Sequence, residues 1–172
     1  MIGYTIEMKG LEEQIKTLQS YELNADRRLF EAMQKSVMTI RSNVLPLVPV
    51  GVSARLKNSI GSKVVQEGSL SIVGTVGSSL KNEVYPAVME FGREPGTFPP
   101  VDSLLRWVHL KLRPPENEER SVAFMVARKI YKHGIKGKRF FSEGWEKSKS
   151  QVQTYFAKAL EKITEELSNG RS

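Results

Sequence analysis

The sequence predicts an α+β fold, in which a small antiparallel sheet packs against two long helices and a helical hairpin is inserted between them. Three observations predict it. Two long segments, from about Asn24 to Leu45 and from about Ser142 to Leu167, carry apolar residues at steps of three and four, the period of a helix with one buried side. Residues 62–76 alternate around a Glu67-Gly68-Ser69 break, as the two arms of a β-hairpin do. Two further helical stretches, parted by Pro114-Pro115, occupy about 100–134 between that hairpin and the last helix. The 172 residues and their 40% hydrophobic content suit one domain spanning 1–172.

Residues 3–8 alternate as a short strand that Lys9-Gly10 breaks, and Leu11, Ile15 and Leu18 then share one face of a short helix. In the first long helix Phe30, Met33, Val37, Ile40 and Val44 form the stripe expected to be core, and Pro46 and Pro49 end it because proline cannot continue the hydrogen-bond ladder. Residues 50–61 read as a loop with a helical turn. The hairpin arms are Ser62–Gln66 and Leu70–Val76, with Leu70, Ile72 and Val76 on one face and Gly74 and Gly77 thinning the strand. Val84–Phe91 supports two readings. Pro86 suits an edge strand, whereas Val84, Val88 and Phe91 fall at helical spacing.

Arg93–Pro100 is a Pro/Gly-rich loop. A helix begins near Pro100, with Asp102 at the positive end of its dipole and Leu104, Trp107, Val108 and Leu112 as its apolar side. A second runs from about Asn117 to His133, with Gly134 as its C-cap. The last helix starts at Ser142 as N-cap and buries Val152, Phe156, Ala159, Ile163 and Leu167. Trp107 and Trp145 are expected as core anchors.

Charge is concentrated in one place. Residues 128–139 contain Arg128, Lys129, Lys132, Lys136, Lys138 and Arg139 with no acid, so they hold +6 of the formal +7. Such a region is aimed at something anionic, or else is a solvated helix face followed by a basic loop. Its aromatic company is Tyr131, Phe140 and Phe141, too little for a platform that stacks single-stranded bases.

Catalytic chemistry is sparse. There is no cysteine, and His109 and His133 are the only histidines, so thiolate sites, a zinc cluster and a Ser/His triad all lack material. The absence of cysteine fits folding in a reducing cytosol. No phosphate-binding glycine loop, nucleophile elbow or metal helix is present. Glu90 has no second acid, histidine or metal ligand near it in sequence and is expected as a rim carboxylate pairing Arg93 or another chain. No apolar run approaches a bilayer span and no signal peptide is expected.

Five sequence motifs in order resemble the phage minor proteins of the head–tail joining and tail-completion class, a family of tail components. Its Pro-Val-Asp-Thr-Gly-x-Leu-x-x-Ser-Ile segment is similar to Pro49–Ile60, although Gly51-Val52-Ser53-Ala54 replaces the Asp-Thr-Gly triplet. A β-hairpin follows, and then Tyr85–Arg93 resembles the family's Tyr-Ala-x-x-Val-Glu-x-Gly-Thr segment with one residue more. Pro99–Trp107 looks like its proline-led Trp helix, and Ala127–Gly134 like its helix ending in His-Gly. Gly137–Phe141 is similar to its basic loop into Pro-Phe, with Lys138 and Arg139 where prolines are expected. The resemblance covers roughly residues 5–167.

What the resemblance implies is a structural virion subunit with no catalytic residue, no metal and no cofactor. It implies a homo-oligomeric ring, taken as a hexamer, that joins head or neck to tail. Its partners would be neck or connector proteins and tail-terminator or tail-tube proteins, with no membrane. Its place would be the head–tail junction of the virion, after synthesis in the host cytoplasm. The axis of such a ring passes double-stranded DNA, which gives Arg128, Lys129, Lys132, Lys136, Lys138 and Arg139 a sequence-independent phosphate to face. The turn at 49–60 and the loop at 93–100 suit contacts between copies, through Pro49, Arg55, Glu90, Arg93 and Phe98. The alternative is a standalone, sequence-independent nucleic-acid-binding protein that uses 128–139.

Overall fold

A computed structural model of the chain describes residues 3–6, 22–51, 54–68, 71–80 and 84–169. The fold is α+β. In chain order its elements are β1 (Gly3–Ile6), α1 (Glu22–Val44), α2 (Arg55–Ser59), β2 (Ile60–Gly68), β3 (Ser71–Ser78), α3 (Tyr85–Phe91), β4 (Gly92–Arg93), α4 (Val101–Lys111), α5 (Glu119–His133), β5 (Ile135–Lys136) and α6 (Phe140–Asn169). A one-turn 3-10 helix, Glu116–Glu118, leads into α5. The chain divides into two compact units, one made of Met1–Leu47, Ser59–Lys81 and Phe140–Ser172, the other of Val48–Asn58 and Asn82–Arg139.

In the first unit α1 packs along α6 and against the β2–β3 hairpin. The helices run antiparallel, because ascending positions of α1 meet descending positions of α6. Arg28 Nη2 donates to Glu166 Oε1 at 2.6 Å, Thr39 Oγ1 lies 3.2 Å from Tyr155 OH, and Asn43 Nδ2 donates to Ser148 Oγ at 2.9 Å. The buried side of α1 is Ala25, Leu29, Ala32, Met33, Ser36, Val37, Ile40 and Val44. Its first large side chain is Leu29 rather than Phe30, which is half-buried. One residue is about 100° of helical turn, enough to carry Phe30 to the stripe's edge. On α6 the stripe is Phe141, Gly144, Ser148, Val152, Ala159 and Ile163, while Trp145, Phe156 and Leu167 are half-buried. The two serines inside this interface cost little, since Ser36 and Ser148 each donate to a carbonyl one turn back, at 2.7 and 2.6 Å.

The start of α6 differs from expectation. Ser142 is not its N-cap; the helix begins at Phe140, and Phe140 and Phe141 are both fully buried with ring centroids 4.8 Å apart. Burial of two whole aromatic side chains outweighs a serine cap of about 1 kcal/mol.

The sheet has the order β1-β3-β2, all antiparallel, with β3 central. The hairpin is longer than its alternation suggested, pairing Ile60 with Ser78 through Gln66 with Ile72 before the register shifts at Gly68. The tip at 69–70, which holds Leu70, lies outside the described residues, as does the short helix expected around 11–18. Gly74 thins the central strand for a packing reason. A Cβ there would sit 2.5 Å from Met33 Sδ and 2.6 Å from Val37 Cγ1, so the sheet can lie directly on α1 only if that side chain is absent.

In the second unit α4 and α5 form the helical hairpin and pack on each other. Val108, Ala123 and Ala127 are fully buried, the small alanines letting the helices approach closely. The remaining apolar side chains of α4 do not follow. Leu104 is half-buried, and Trp107 and Leu112 are 41% and 48% exposed. Trp107 is therefore no core anchor. Of the two readings of 84–91 the helix holds, as α3, but with a different face inward: Pro86 and Glu90 are buried while Val84 and Phe91 are exposed.

Candidate functional site: a basic segment beside exposed aromatic rings

The six cations of 128–139 are all exposed and come from three consecutive structures. Arg128, Lys129 and Lys132 lie on α5, Lys136 on β5, and Lys138 and Arg139 on the link to α6. The stretch after α5 is not a free loop. β5 pairs antiparallel with β4, Lys136 opposite Gly92 and Ile135 opposite Arg93. The Lys138 and Arg139 N–H groups then donate to the Met89 and Glu90 carbonyls at 2.8 and 3.0 Å, which satisfies orphan acceptors at the end of α3. Gly134 caps α5 at φ +65, its N–H donating to the Ile130 carbonyl at 2.8 Å, as the sequence suggested. Gly137 has a different reason to be glycine: a Cβ would meet the Glu90 carbonyl oxygen at 2.5 Å and the Gly92 nitrogen at 2.7 Å. Backbone anchoring leaves the cationic side chains projecting from a fixed base.

Of the three aromatic neighbours the sequence named, Tyr131 alone stands exposed among the cations. Phe140 and Phe141 are fully buried, whereas Phe98 and Phe124 join Tyr131 in a cluster on the second unit. Phe98 lies 5.5 Å from Phe124 and 6.1 Å from Tyr131 by ring centroids, at interplanar angles of 43° and 46°. The Gly96 N–H fixes the loop that brings Phe98 there, donating to the Tyr131 carbonyl at 2.8 Å. The rings remain 41%, 52% and 44% exposed for Phe98, Phe124 and Tyr131. Only the seven-residue spacing of Phe124 and Tyr131, two turns of one helix, was a usable signal for this cluster.

The residues expected at subunit contacts scatter over the second unit. Pro49 is half-buried, Arg55 is exposed at the start of α2, and Arg93, half-buried, donates Nη2 to the Thr97 carbonyl at 3.2 Å. Phe98 belongs to the aromatic cluster. Glu90 is 1% exposed, so it is not a rim carboxylate: α3 turns its Pro86–Glu90 side inward. Tyr85, on the same helix, has its phenol pushed above the usual range by partial burial.

Apolar exposure follows the same division. Of the large apolar side chains exposed among the described residues, all but Met38 belong to the second unit, including Phe91, Trp107, Leu110, Leu112 and Met125. That unit holds thirteen Lys/Arg against seven Asp/Glu, a net +6 of the chain's +7. Among the described residues no three His, Cys, Asp or Glu side chains are grouped to hold a metal, and no helix is long and apolar enough to cross a membrane. The shallow groove between α1 and α6 is lined by mixed charges, among them Arg28, Glu31, Lys35 and Lys158, and presents no nucleophile–base pair. No family model, no curated protein and no solved structure matches the chain.

Proposed function

We propose that the protein is a structural virion subunit of a tailed phage or prophage, one copy of a ring that joins head or neck to tail. The observation that carries this reading is the concentration of exposed large apolar side chains on one unit, which suits a surface that a partner covers. The ordered landmarks from Pro49 to Phe141 point the same way. In this reading the apolar surface is covered by the neighbouring copy and by neck, terminator or tail-tube proteins. Cyclic assembly joins two different patches, which suits a unit whose like charges would repel a copy of the same face. Six copies would multiply the exposed cations around the axis, where weak attraction to duplex phosphate suffices. No catalytic role is assigned to any residue.

Negative-stain imaging of the purified protein, alone and mixed with tail tubes, tests this. The expected result is a closed ring, free or seated on one end of the tube. A protein that stays monomeric and leaves tubes bare overturns the reading. The second reading, a standalone sequence-independent nucleic-acid-binding protein, is favoured by the exposure of all six cations. It takes over if the free protein binds duplex DNA below micromolar concentration at physiological salt and loses that binding when Lys132, Lys136, Lys138 and Arg139 become serine.

A further inference from the structure

The outer face of α5 carries two rows of different chemistry. Arg128 and Lys132 are one turn apart, and Phe124 and Tyr131 are two turns apart on the adjoining strip. Along the axis these pairs span about 6 Å and about 10 Å at 1.5 Å per residue. Phe98 widens the aromatic strip from the neighbouring loop, and Lys129 borders the cationic one. All of these side chains are exposed, and residues 120–139 contain no Asp or Glu.

We infer that this face binds single-stranded nucleic acid without sequence preference, its phosphates on Arg128, Lys129 and Lys132 and its bases against Tyr131, Phe124 and Phe98. Exposed rings beside a row of cations are what a single strand needs, because every base has a π-face and every nucleotide a phosphate. A duplex keeps its bases inside and would gain nothing from the rings. A second copy docked on the same face is disfavoured by the repulsion between the two rows of cations. Assembly that covers Phe98, Phe124 and Tyr131 competes with the strand for the same rings, so binding is read on the free protein, and strand binding and ring formation can each fail without the other.

The test is fluorescence anisotropy with labelled oligothymidylate and a duplex of equal length. The single strand should bind more tightly than the duplex, with a log–log salt slope of about −2 for three phosphates met. Phe124→Ala with Tyr131→Ala should weaken the single strand by about tenfold or more and leave the duplex unchanged, while Tyr131→Trp, which keeps a ring plane, should retain binding. Arg128→Gln with Lys132→Gln, on solvated side chains that leave the fold intact, should weaken both nucleic acids. Equal affinity for the two, unchanged in the aromatic variant, overturns the inference and reduces the face to a phosphate patch. No binding of oligothymidylate even at low salt also overturns it, and makes an acidic protein surface the occupant.

Discussion

Arg113 holds φ at +50, donates its N–H to the Val108 carbonyl at 3.1 Å and precedes Pro114, so it is the left-handed stop of α4. A side chain is disfavoured there by roughly 1–2 kcal/mol. Arg113→Gly should therefore raise stability by about 1 kcal/mol, read as a higher urea midpoint at unchanged slope; a lower midpoint would mean the arginine side chain itself holds the turn. Tyr85 supplies a prediction in pH. Burial raises its phenol above the ordinary 10, so the folded state keeps that proton longer than the unfolded chain does. Its contribution is intact below pH 10 and is lost as pH rises through the folded value. The alkaline difference spectrum of the wild type should contain one phenol titrating above the ordinary 10 that Tyr85→Phe lacks. Single residues were the least legible part of the sequence. Leu29 against Phe30, and Glu90 turned inward on α3, depend on which way a helix is rotated about its axis. Neighbouring elements set that rotation, and the helix's own period does not.

Elements were far more legible. Both long helices, the hairpin, the hairpin of helices and the Gly134 stop follow from spacing and from Pro and Gly punctuation, because those signals are local. The pairing of β4 with β5 was not readable. Two-residue strands carry no period, and their partners are more than forty positions apart. Packing energetics belong at this scale. Ile40 is fully buried on α1, so Ile40→Ala should cost about 2–5 kcal/mol, and Phe30→Ala clearly less for its larger ring, since Phe30 is only half-buried. Equal thermal shifts in the two variants would refute the rotated stripe. Gly74→Val should be worse than either, as it drives a side chain into Met33 and Val37. The Phe98–Phe124–Tyr131 cluster joins a loop to two turns of a helix, and only a folded loop could reveal it.

At the scale of the whole molecule, apolar exposure and net charge collect on the same unit, and the two make different demands. Exposed apolar area asks for a partner, while a +6 surface resists crowding by its own kind. If the ring reading holds, changing Lys132, Lys136, Lys138 and Arg139 to serine should leave ring formation intact and flatten the salt dependence of duplex binding by about 0.9 for each phosphate that the variant no longer neutralises. Sedimentation in parallel with a DNA titration measures both. Loss of the ring in that variant would instead place these cations between subunits. Class and coarse architecture could be read from the sequence, but the division into two units could not, since the first unit draws on three separate stretches of chain.

The antiparallel pairing of α1 with α6 has a consequence in time. During synthesis α1 leaves the ribosome about a hundred residues before α6 does, a wait of roughly 5–20 s at ordinary elongation rates. Through that interval the side of α1 centred on Leu29, Met33 and Ile40 lacks α6, and the β2–β3 hairpin, which also packs on α1, emerges part-way through it. The nascent chain is then most exposed to chaperones and to aggregation, and a shortened α6 would make that interval permanent. Pulse-labelled chains lacking residues 140–172 should stay protease-sensitive across α1, where full-length chains become resistant once α6 has emerged.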